Sequence, residues 1–354
     1  MKPFSVGIVG AGIGKEHIQA YQQLPEMFAV TAVTTASVQE TQDTAQQFSI
    51  PHIAADFDTL CARDDLDIIN ICTPNHLHLP MALQALAAGK HVVLEKPVAG
   101  SLADIDRLIQ AEADSGKRAM PIFQYRFGHG LQKLKALQAA GLTGQAHLTT
   151  VETLWRRRPD YYARPWRGKW DTEMGGALVT LAIHAHDILS YVLGPVKNVT
   201  VRMKTAVNPI ETEDTVAAAL EMADGSLATL AVTTGSSREI SRHRFCFANL
   251  TAESNTTPYN SSSDPWQFHG DTPEIQAQID AVLAEFVPLP ERFVGQFYRF
   301  HQSLTQGTNL PVTLADARQS AELLTALYDA ARKETAVSLP ITPDHPLYQG
   351  WQPG

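Results

Sequence analysis

The sequence predicts an α/β protein: an N-terminal doubly wound parallel sheet, followed by an α+β half whose large open sheet is mostly antiparallel. Three observations carry this expectation. An apolar strand runs into a glycine turn at the start of the chain, Val6-Gly7-Ile8-Val9-Gly10-Ala11-Gly12-Ile13-Gly14. Strand-length apolar runs then alternate with helical segments as far as residue 122. Beyond Phe123 the pattern changes to longer strands joined by turns, with helices gathered towards the C-terminus. The expected domains are therefore residues 1–122 and 123–354.

In the first half the expected strands are Phe4–Val9, Phe28–Thr34, Asp67–Cys72, His91–Leu94 and Arg118–Phe123. Each is a short apolar run bounded by polar or turn-forming residues. Helices are expected at Lys15–Gln23, Val38–Phe48, His76–Ala88 and Leu102–Ser115, the last behind Ser101, a side chain suited to capping a helix start. A sheet built this way gathers its ligands at the carboxyl ends of its strands.

In the second half Gln145–Trp155, Val196–Ala206, Thr215–Met222, Leu227–Thr233 and Arg242–Asn249 read as strands. Ala223-Asp224-Gly225-Ser226 supplies a hairpin turn between two of them. One helix is expected from Gly176 to Leu193, and others at Pro273–Phe286, Arg292–Leu304 and Leu314–Glu334. Thr313-x-x-Asp316 resembles a capping box at the start of the last. The polar stretch Ser254–His269 reads as a loop or lid. No internal repeat is present.

Composition bounds the function. A chain of 354 residues with 44% apolar and 18% charged residues has the make-up of a globular protein of two domains. No run of ~20 apolar residues and no basic-then-apolar leader occurs, so a cytoplasmic protein with no membrane partner is expected. A formal net charge of −9 argues against nucleic acid as a partner. Cys61, Cys72 and Cys246 are odd in number and widely spaced, which fits reduced thiols rather than disulfides or a metal cluster.

The glycine turn has a mechanical reading. Glycine lets the backbone turn tightly and approach a pyrophosphate with no Cβ in the way, and the following helix offers unpaired N–H groups and a positive dipole end. Gly10-x-Gly12-x-Gly14 is one residue shorter than the usual G-x-G-x-x-G spacing, which leaves the role of the third glycine open. The same residues also suit a purely structural turn; their place between a strand and a helix favours the dinucleotide reading. The end of the second strand should carry the residue that reads the adenosine ribose. It is Thr34-Thr35-Ala36-Ser37, with no carboxylate to repel a 2′-phosphate and no arginine to hold one. The expected cofactor is NAD or NADP, with a lean to NADP.

Two residues outside the glycine turn point to chemistry. Lys96 precedes Pro97, which keeps it out of helical conformation at a strand end; an isolated lysine is otherwise a solvated charge. His184 falls in the expected helix, where Thr180, His184 and Asp187 would share a face. A helical histidine also serves commonly as a hydrogen-bonded core residue. His184 and His186 diverge by roughly 200° on a helix, so no metal site is expected. The segment Trp155-Arg156-Arg157-Arg158-Pro159-Asp160-Tyr161-Tyr162 through Trp166-Arg167-Gly168 is densely aromatic and basic. It reads either as a solvated charged loop or, more sharply, as a saccharide pocket using Tyr162, Trp166 and Arg167, since aromatic faces stack on sugar C–H surfaces.

Taken jointly, Gly10-x-Gly12, Cys72-Thr73-Pro74-Asn75-x-x-His78, Gly89-Lys90-His91-Val92, Glu95-Lys96-Pro97 and Gly175-Gly176…His184-x-x-Asp187 resemble the Gfo/Idh/MocA family, named for glucose–fructose oxidoreductase and inositol dehydrogenase. The resemblance implies a Rossmann domain, a second domain whose open sheet often forms the oligomer interface, and NAD(P)-dependent oxidation or reduction of sugars, cyclitols or their derivatives. It places cofactor contacts on Gly10, Gly12, Ile13, Gly14, Thr35, Thr73, Pro74, Asn75, His78, Glu95 and Lys96. It gives catalytic roles to Lys96 and His184 and substrate contact to Lys96, Arg126, Thr180 and His184. The inositol dehydrogenase pattern has Asp four residues before the histidine, where this chain has Thr180, and many relatives have Asp where this chain has Thr35. The expected protein is a homodimer or homotetramer acting on a small sugar or polyol. The alternative is a non-catalytic, sugar-responsive regulator that binds a dinucleotide; retention of both Lys96 and His184 speaks against it.

Overall fold

Strand β1 (Phe4–Val9) is buried along most of its length, and five further strands lie parallel to it in the computed structural model, which describes residues 2–353. The chain continues through α1 (Gly14–Gln22), β2 (Phe28–Thr34), α2 (Val38–Phe48), β3 (His52–Ile53), α3 (Phe57–Cys61), β4 (Ile68–Ile71), α4 (His78–Ala87), β5 (His91–Leu94), α5 (Leu102–Ser115) and β6 (Ala119–Pro121). The strand order is β3-β2-β1-β4-β5-β6, with every neighbouring pair parallel. Every residue of β4 is buried, as a central strand covered by helices on both faces requires. Side chains of Ser37, Asp56 and Ser101 accept from the backbone N–H three residues on and so start α2, α3 and α5; each such cap is worth ~1 kcal/mol. The expected start of the helix at His76 is a separate 3-10 turn, Asn75–Leu77, ahead of α4. The brief β3 and α3 carry too few apolar residues to stand out as periodic segments in the sequence.

The second sheet is built from α6 (His129–Ala139), β7 (Ala146–Arg156), α7 (Trp170–Glu173), α8 (Ala177–Thr180), α9 (Ile183–Leu193), β8 (Val196–Lys204), β9 (Thr215–Met222), β10 (Leu227–Thr233), β11 (Gly235–Phe247), β12 (Leu250–Glu253) and β13 (Gln267–Gly270). Helices α10 (Pro273–Ala284), α11 (Arg292–Gln306) and α12 (Leu314–Lys333) and the short β14 (Val337–Ser338) complete the chain. The eight strands run β13-β12-β11-β7-β10-β9-β8-β14, and only β7 and β10 pair in parallel. At the start of α12, Thr313 and Asp316 cap each other reciprocally, with Thr313 N–H donating to Oδ2 at 2.7 Å and Asp316 N–H to Oγ1 at 3.2 Å.

Three sequence expectations are corrected here. The stretch Ser254–His269 is not loop throughout, because Gln267 to His269 pair with β12 as strand β13. The helix expected from Gly176 to Leu193 is two helices, α8 and α9, and the segments Trp170–Thr180 and Ile183–Leu193 are bent by 53°. At the break Ala182 N–H reaches back to Ala177 O and Ala185 N–H only to Ala182 O, so the regular ladder is lost there. The third correction concerns domain membership: the first unit comprises Met1–Ile122 with Phe293–Arg318, and the second Phe123–Arg292 with Gln319–Gly354. Helix α11 belongs with the first unit because Phe293, Phe297 and Phe300, spaced three and four apart, form a buried face. The ring of Phe297 stacks on Tyr21 at 4.1 Å, and that of Phe293 lies 4.5 Å from His17. No single described helix is long and apolar enough to cross a membrane.

Candidate active site

Because β2, β1, β4 and β5 are adjacent and parallel, their carboxyl ends form one edge of the first sheet. That edge collects most of the residues singled out in the first domain. Gly10, Gly12 and Gly14 follow β1, Thr35 follows β2, Thr73, Pro74 and Asn75 follow β4, and Glu95 and Lys96 follow β5. Gly10 sits at φ +91°, and a Cβ there would lie 2.5 Å from Cys72 O, so the turn is closed to any other residue. Gly12 is different: a Cβ there would meet no atom within 4 Å. The space above the turn is open, and the first turn of α1 brings its unpaired N–H groups to it, which suits the pyrophosphate of a dinucleotide. Gly12→Val is accordingly expected to leave the melting temperature unchanged while weakening dinucleotide binding at least 10-fold, as read by titrating NADH and NADPH by fluorescence. Unaltered affinity for both would remove the phosphate-loop assignment. Thr35 is half-exposed; its Oγ1 donates to Ser37 O at 2.9 Å.

Beneath this edge lies a buried polar network that the sequence reading missed. His17, fully buried on α1, has Nε2 3.1 Å from Glu95 Oε1 and Nδ1 3.1 Å from Asn70 Oδ1. Tyr21 OH donates to the same Asn70 oxygen at 3.0 Å, and Asn70 Nδ2 donates to Cys72 Sγ. Burial alone would push the His17 ring down, but Cys72 and Glu95 outweigh it and hold the imidazole well above its ordinary range. Burial likewise opposes ionisation of Glu95, and the hydrogen bond and charge of His17 overcome it and bring that carboxyl below the usual range. The other oxygen, Oε2, accepts the backbone N–H of Lys96 at 3.1 Å, so both carboxylate oxygens of Glu95, expected as a cofactor contact, are engaged by groups of the chain itself. His78, expected as a cofactor contact, is also fully buried, and its ring bridges Pro97 O at 2.7 Å and Thr73 O at 3.0 Å. A signal for His17 existed in the sequence: a histidine three residues after the last glycine of the turn points inward on the first turn of the helix.

In the second unit the structure brings Arg126, His184 and Asp187 together. Arg126 and Asp187 form a buried bidentate pair, Nε to Oδ2 at 2.9 Å and Nη2 to Oδ1 at 2.6 Å. The guanidinium also lies over the rings of Tyr191 at 4.8 Å and Phe123 at 5.5 Å. Arg126, expected to contact substrate, is thus engaged by Asp187 and ties the 3-10 turn Gln124–Phe127 to α9. His184 is held by Tyr125, whose ring stacks on it at 4.4 Å, and by Phe123 edge-on at 6.3 Å. His186 is fully buried, and burial holds its ring down at about 3, a neutral core histidine. Among the described residues no cluster of three or more His, Cys, Asp or Glu could hold a metal.

Thr180 ends α8, so it does not share a continuous helical face with His184; its Oγ1 donates to Gly176 O at 2.8 Å. The start of α8 is set by Glu213, whose carboxyl accepts from Gly176 N–H at 3.0 Å, Leu178 N–H at 3.0 Å and Tyr328 OH at 2.9 Å. Only glycine fits at 176, since a Cβ there would lie 1.8 Å from Glu213 O. Burial outweighs these donors and pushes the Glu213 carboxyl from 4.5 up to about 7. A raised folded-state value gives stability that is full below 4.5 and is lost as pH rises through about 7, on the order of 3 kcal/mol. Melting temperature should therefore fall across that window, and Glu213→Gln should flatten this part of the profile. A slope that survives in Glu213→Gln would reassign it to another group.

The aromatic and basic segment forms its own cluster. Arg167 lies over the rings of Tyr161 at 3.9 Å and Trp166 at 4.3 Å, and pairs with Glu173 at 3.2 Å. Tyr162 packs against the Gly168 turn, and burial raises its hydroxyl above the usual range. Arg157 is not part of a solvated charge run: it is buried, pairs with Glu239 at 2.6 Å and lies over Trp155 and Tyr161, both at 5.1 Å.

Comparison with known proteins places these features in one lineage. Residues 4–123 match the oxidoreductase family with an NAD-binding Rossmann fold, and residues 131–247 match the Gfo/Idh/MocA C-terminal domain. The oxidoreductase YrbE of Bacillus subtilis (strain 168) is 29% identical over 235 residues, which are 65% of this chain and 67% of that protein. Levoglucosan dehydrogenase of Pseudarthrobacter phenanthrenivorans is 22% identical over 390 residues, covering 96% of this chain and 99% of the relative. The WlbA dehydrogenase from Bordetella pertussis, solved in complex with NADH and UDP-GlcNAcA, superposes with a TM-score of 0.85 at 26% identity, covering 96% of this chain and 100% of that one. With an open glycine turn and Glu95-Lys96-Pro97 on one sheet edge, and both domain models matched in order along the sequence, the chain belongs to the Gfo/Idh/MocA family of oxidoreductases.

Proposed function

We propose that the protein is an NAD(P)-dependent dehydrogenase or reductase that moves hydride between a nicotinamide cofactor and a secondary alcohol of a sugar, cyclitol or sugar derivative. The observation that carries this reading is the shared edge of the first sheet, where the open turn at Gly12 and the amine-bearing Lys96 follow strands of one parallel set. The residues present fit a dinucleotide: Gly10 to Gly14, Ile13 included, would take the pyrophosphate, Thr35 the adenosine ribose, and Thr73, Pro74 and Asn75 the portion nearer Lys96. When bound, the nicotinamide supplies the hydride acceptor or donor. With no carboxylate at Thr35 the pocket admits a 2′-phosphate, and NADP is the favoured form.

In the oxidative direction Lys96 orients the reacting hydroxyl and His184 helps to remove its proton as hydride departs from carbon. Tyr162, Trp166 and Arg167 are proposed to face the sugar, and Thr180 to bind it. Arg126 acts through Asp187 to support α9, since its guanidinium is occupied by that pair. The names of relatives that act on levoglucosan or were solved with UDP-GlcNAcA support the sugar class. Incubation with NAD or NADP and a panel of aldoses, anhydrosugars, cyclitols and nucleotide sugars tests the proposal. Reduced nicotinamide should accumulate with at least one of them. Tight dinucleotide binding without turnover on any would favour the regulatory alternative.

A homodimer or homotetramer is also proposed. Burial alternates along β9 and β10, leaving Ala217, Ala219, Leu227 and Thr229 exposed on one face of the sheet, the expected position for a second subunit. Light scattering should report a dimer or larger at micromolar concentration; a monomer alone would contradict this.

A further inference from the structure

Lys96 is the residue on which the proposed chemistry turns, yet a lysine side chain is long and flexible, and a strand end by itself does not hold its main chain still. The structure supplies an anchor. Glu95 accepts the Lys96 N–H through Oε2 and receives His17 Nε2 at Oε1, both at 3.1 Å, so one carboxylate links the lysine's peptide to the first helix of the domain. His17 is fixed in turn by Asn70 at Nδ1, and the rings of Phe293 and Phe297, at 4.5 and 5.4 Å, wall it from water. A carboxylate on one side and an amide oxygen on the other call for N–H on both ring nitrogens, which makes His17 the cationic partner of Glu95. The pair is buried, with side-chain exposures of 0% and 8%, and far too costly to keep as surface decoration. A buried ion pair with a third bond aimed at the neighbouring peptide is suited to fixing geometry, and displacement of a reacting group by about 1 Å can cost on the order of 10²-fold in rate.

We propose that Glu95 and His17 are positioning residues for Lys96, a pair that acts through the Lys96 peptide and sets where the Lys96 amine is presented. This rests on the proposed role of Lys96 in the reaction, and the inference is that two residues acting through the Lys96 peptide govern its rate. It follows that the two act as a unit, so that losing either disables the anchor and losing both adds little.

The test uses the full chain and four variants: His17→Gln, Glu95→Gln, Glu95→Asp and the double His17→Gln/Glu95→Gln. Glu95→Asp keeps the charge pair but shortens its reach, and it serves where a neutral variant fails to fold. The first readout is independent of turnover. Competitive acetylation of lysines, quantified by peptide mass spectrometry, should change the labelling of Lys96 relative to exposed Lys197 by about 5-fold or more in each variant, with the dinucleotide Kd altered by less than about 3-fold. The second readout is kinetic: kcat should fall on the order of 10- to 100-fold with little change in KM, and the double variant should be no worse than the poorer single. Unchanged Lys96 labelling in variants that melt at lower temperature would overturn the proposal and leave the pair a purely stabilising one. Labelling that changes in a protein that turns over no sugar would uphold the anchor and remove the dehydrogenase reading instead.

Discussion

Lys96→Met should depress turnover by ~10²-fold or more while the affinity for NADH or NADPH changes far less. Methionine keeps the length of the side chain and its packing but removes the charge and all three donors, so the hydroxyl loses the group that orients it and assists its ionisation. His184→Asn, which removes the imidazole stacked on Tyr125 with Phe123 edge-on, should have an effect of similar size. Thr180→Ala should act mainly on KM, because the threonine hydroxyl already donates to Gly176 O within its own helix and cannot ionise at neutral pH. Steady-state kinetics separate these outcomes. Near-normal turnover in Lys96→Met would sink the mechanism, and a larger kcat loss in Thr180→Ala than in His184→Asn would transfer the proton-handling role to the threonine.

The largest effect on stability is expected at Asp187. Its carboxylate and the Arg126 guanidinium are 2% and 5% exposed, so Asp187→Ala leaves a buried cation without its counter-ion and should cost about 3–5 kcal/mol. The double variant Arg126→Met/Asp187→Leu removes both charges and fills the space, and should recover most of that loss. Urea titration of the two proteins decides the matter. A loss below about 1 kcal/mol in Asp187→Ala would mean the pair behaves as an exposed one.

The parallel half of the fold was legible because its signals are local. β1, β2 and β5, with α2 and α5, occupy the residues that apolar runs and caps indicate, as do β9 and β10 in the second sheet. The open turn at Gly12 and the strand-end position of Lys96 follow from the same local pattern. Long-range packing was not legible. The apolar stripe of α11 is visible in the sequence, but nothing there says that it returns to Tyr21 and His17, 276 residues earlier. The start of α8 depends on Glu213, more than thirty residues downstream, and the periodicity of residues 176–193 runs unmarked through both that start and the break after Thr180. Arg126 is expected from the resemblance to contact substrate, and only the fold shows Asp187 opposite it. Glu95 is placed by the resemblance among the cofactor contacts, and nothing in the sequence pairs it with His17, 78 positions away.

Direct hydride transfer is the central claim, and isotopic labelling tests it most closely. The protein is incubated with oxidised nicotinamide dinucleotide and a sugar from the reactive class carrying deuterium at every carbon, and the reduced cofactor is analysed by mass spectrometry. The account predicts that the cofactor gains a single deuterium from the substrate and that Lys96→Met slows its appearance by ~10²-fold. Reduced cofactor free of deuterium, or labelling at the same rate in Lys96→Met, would contradict it.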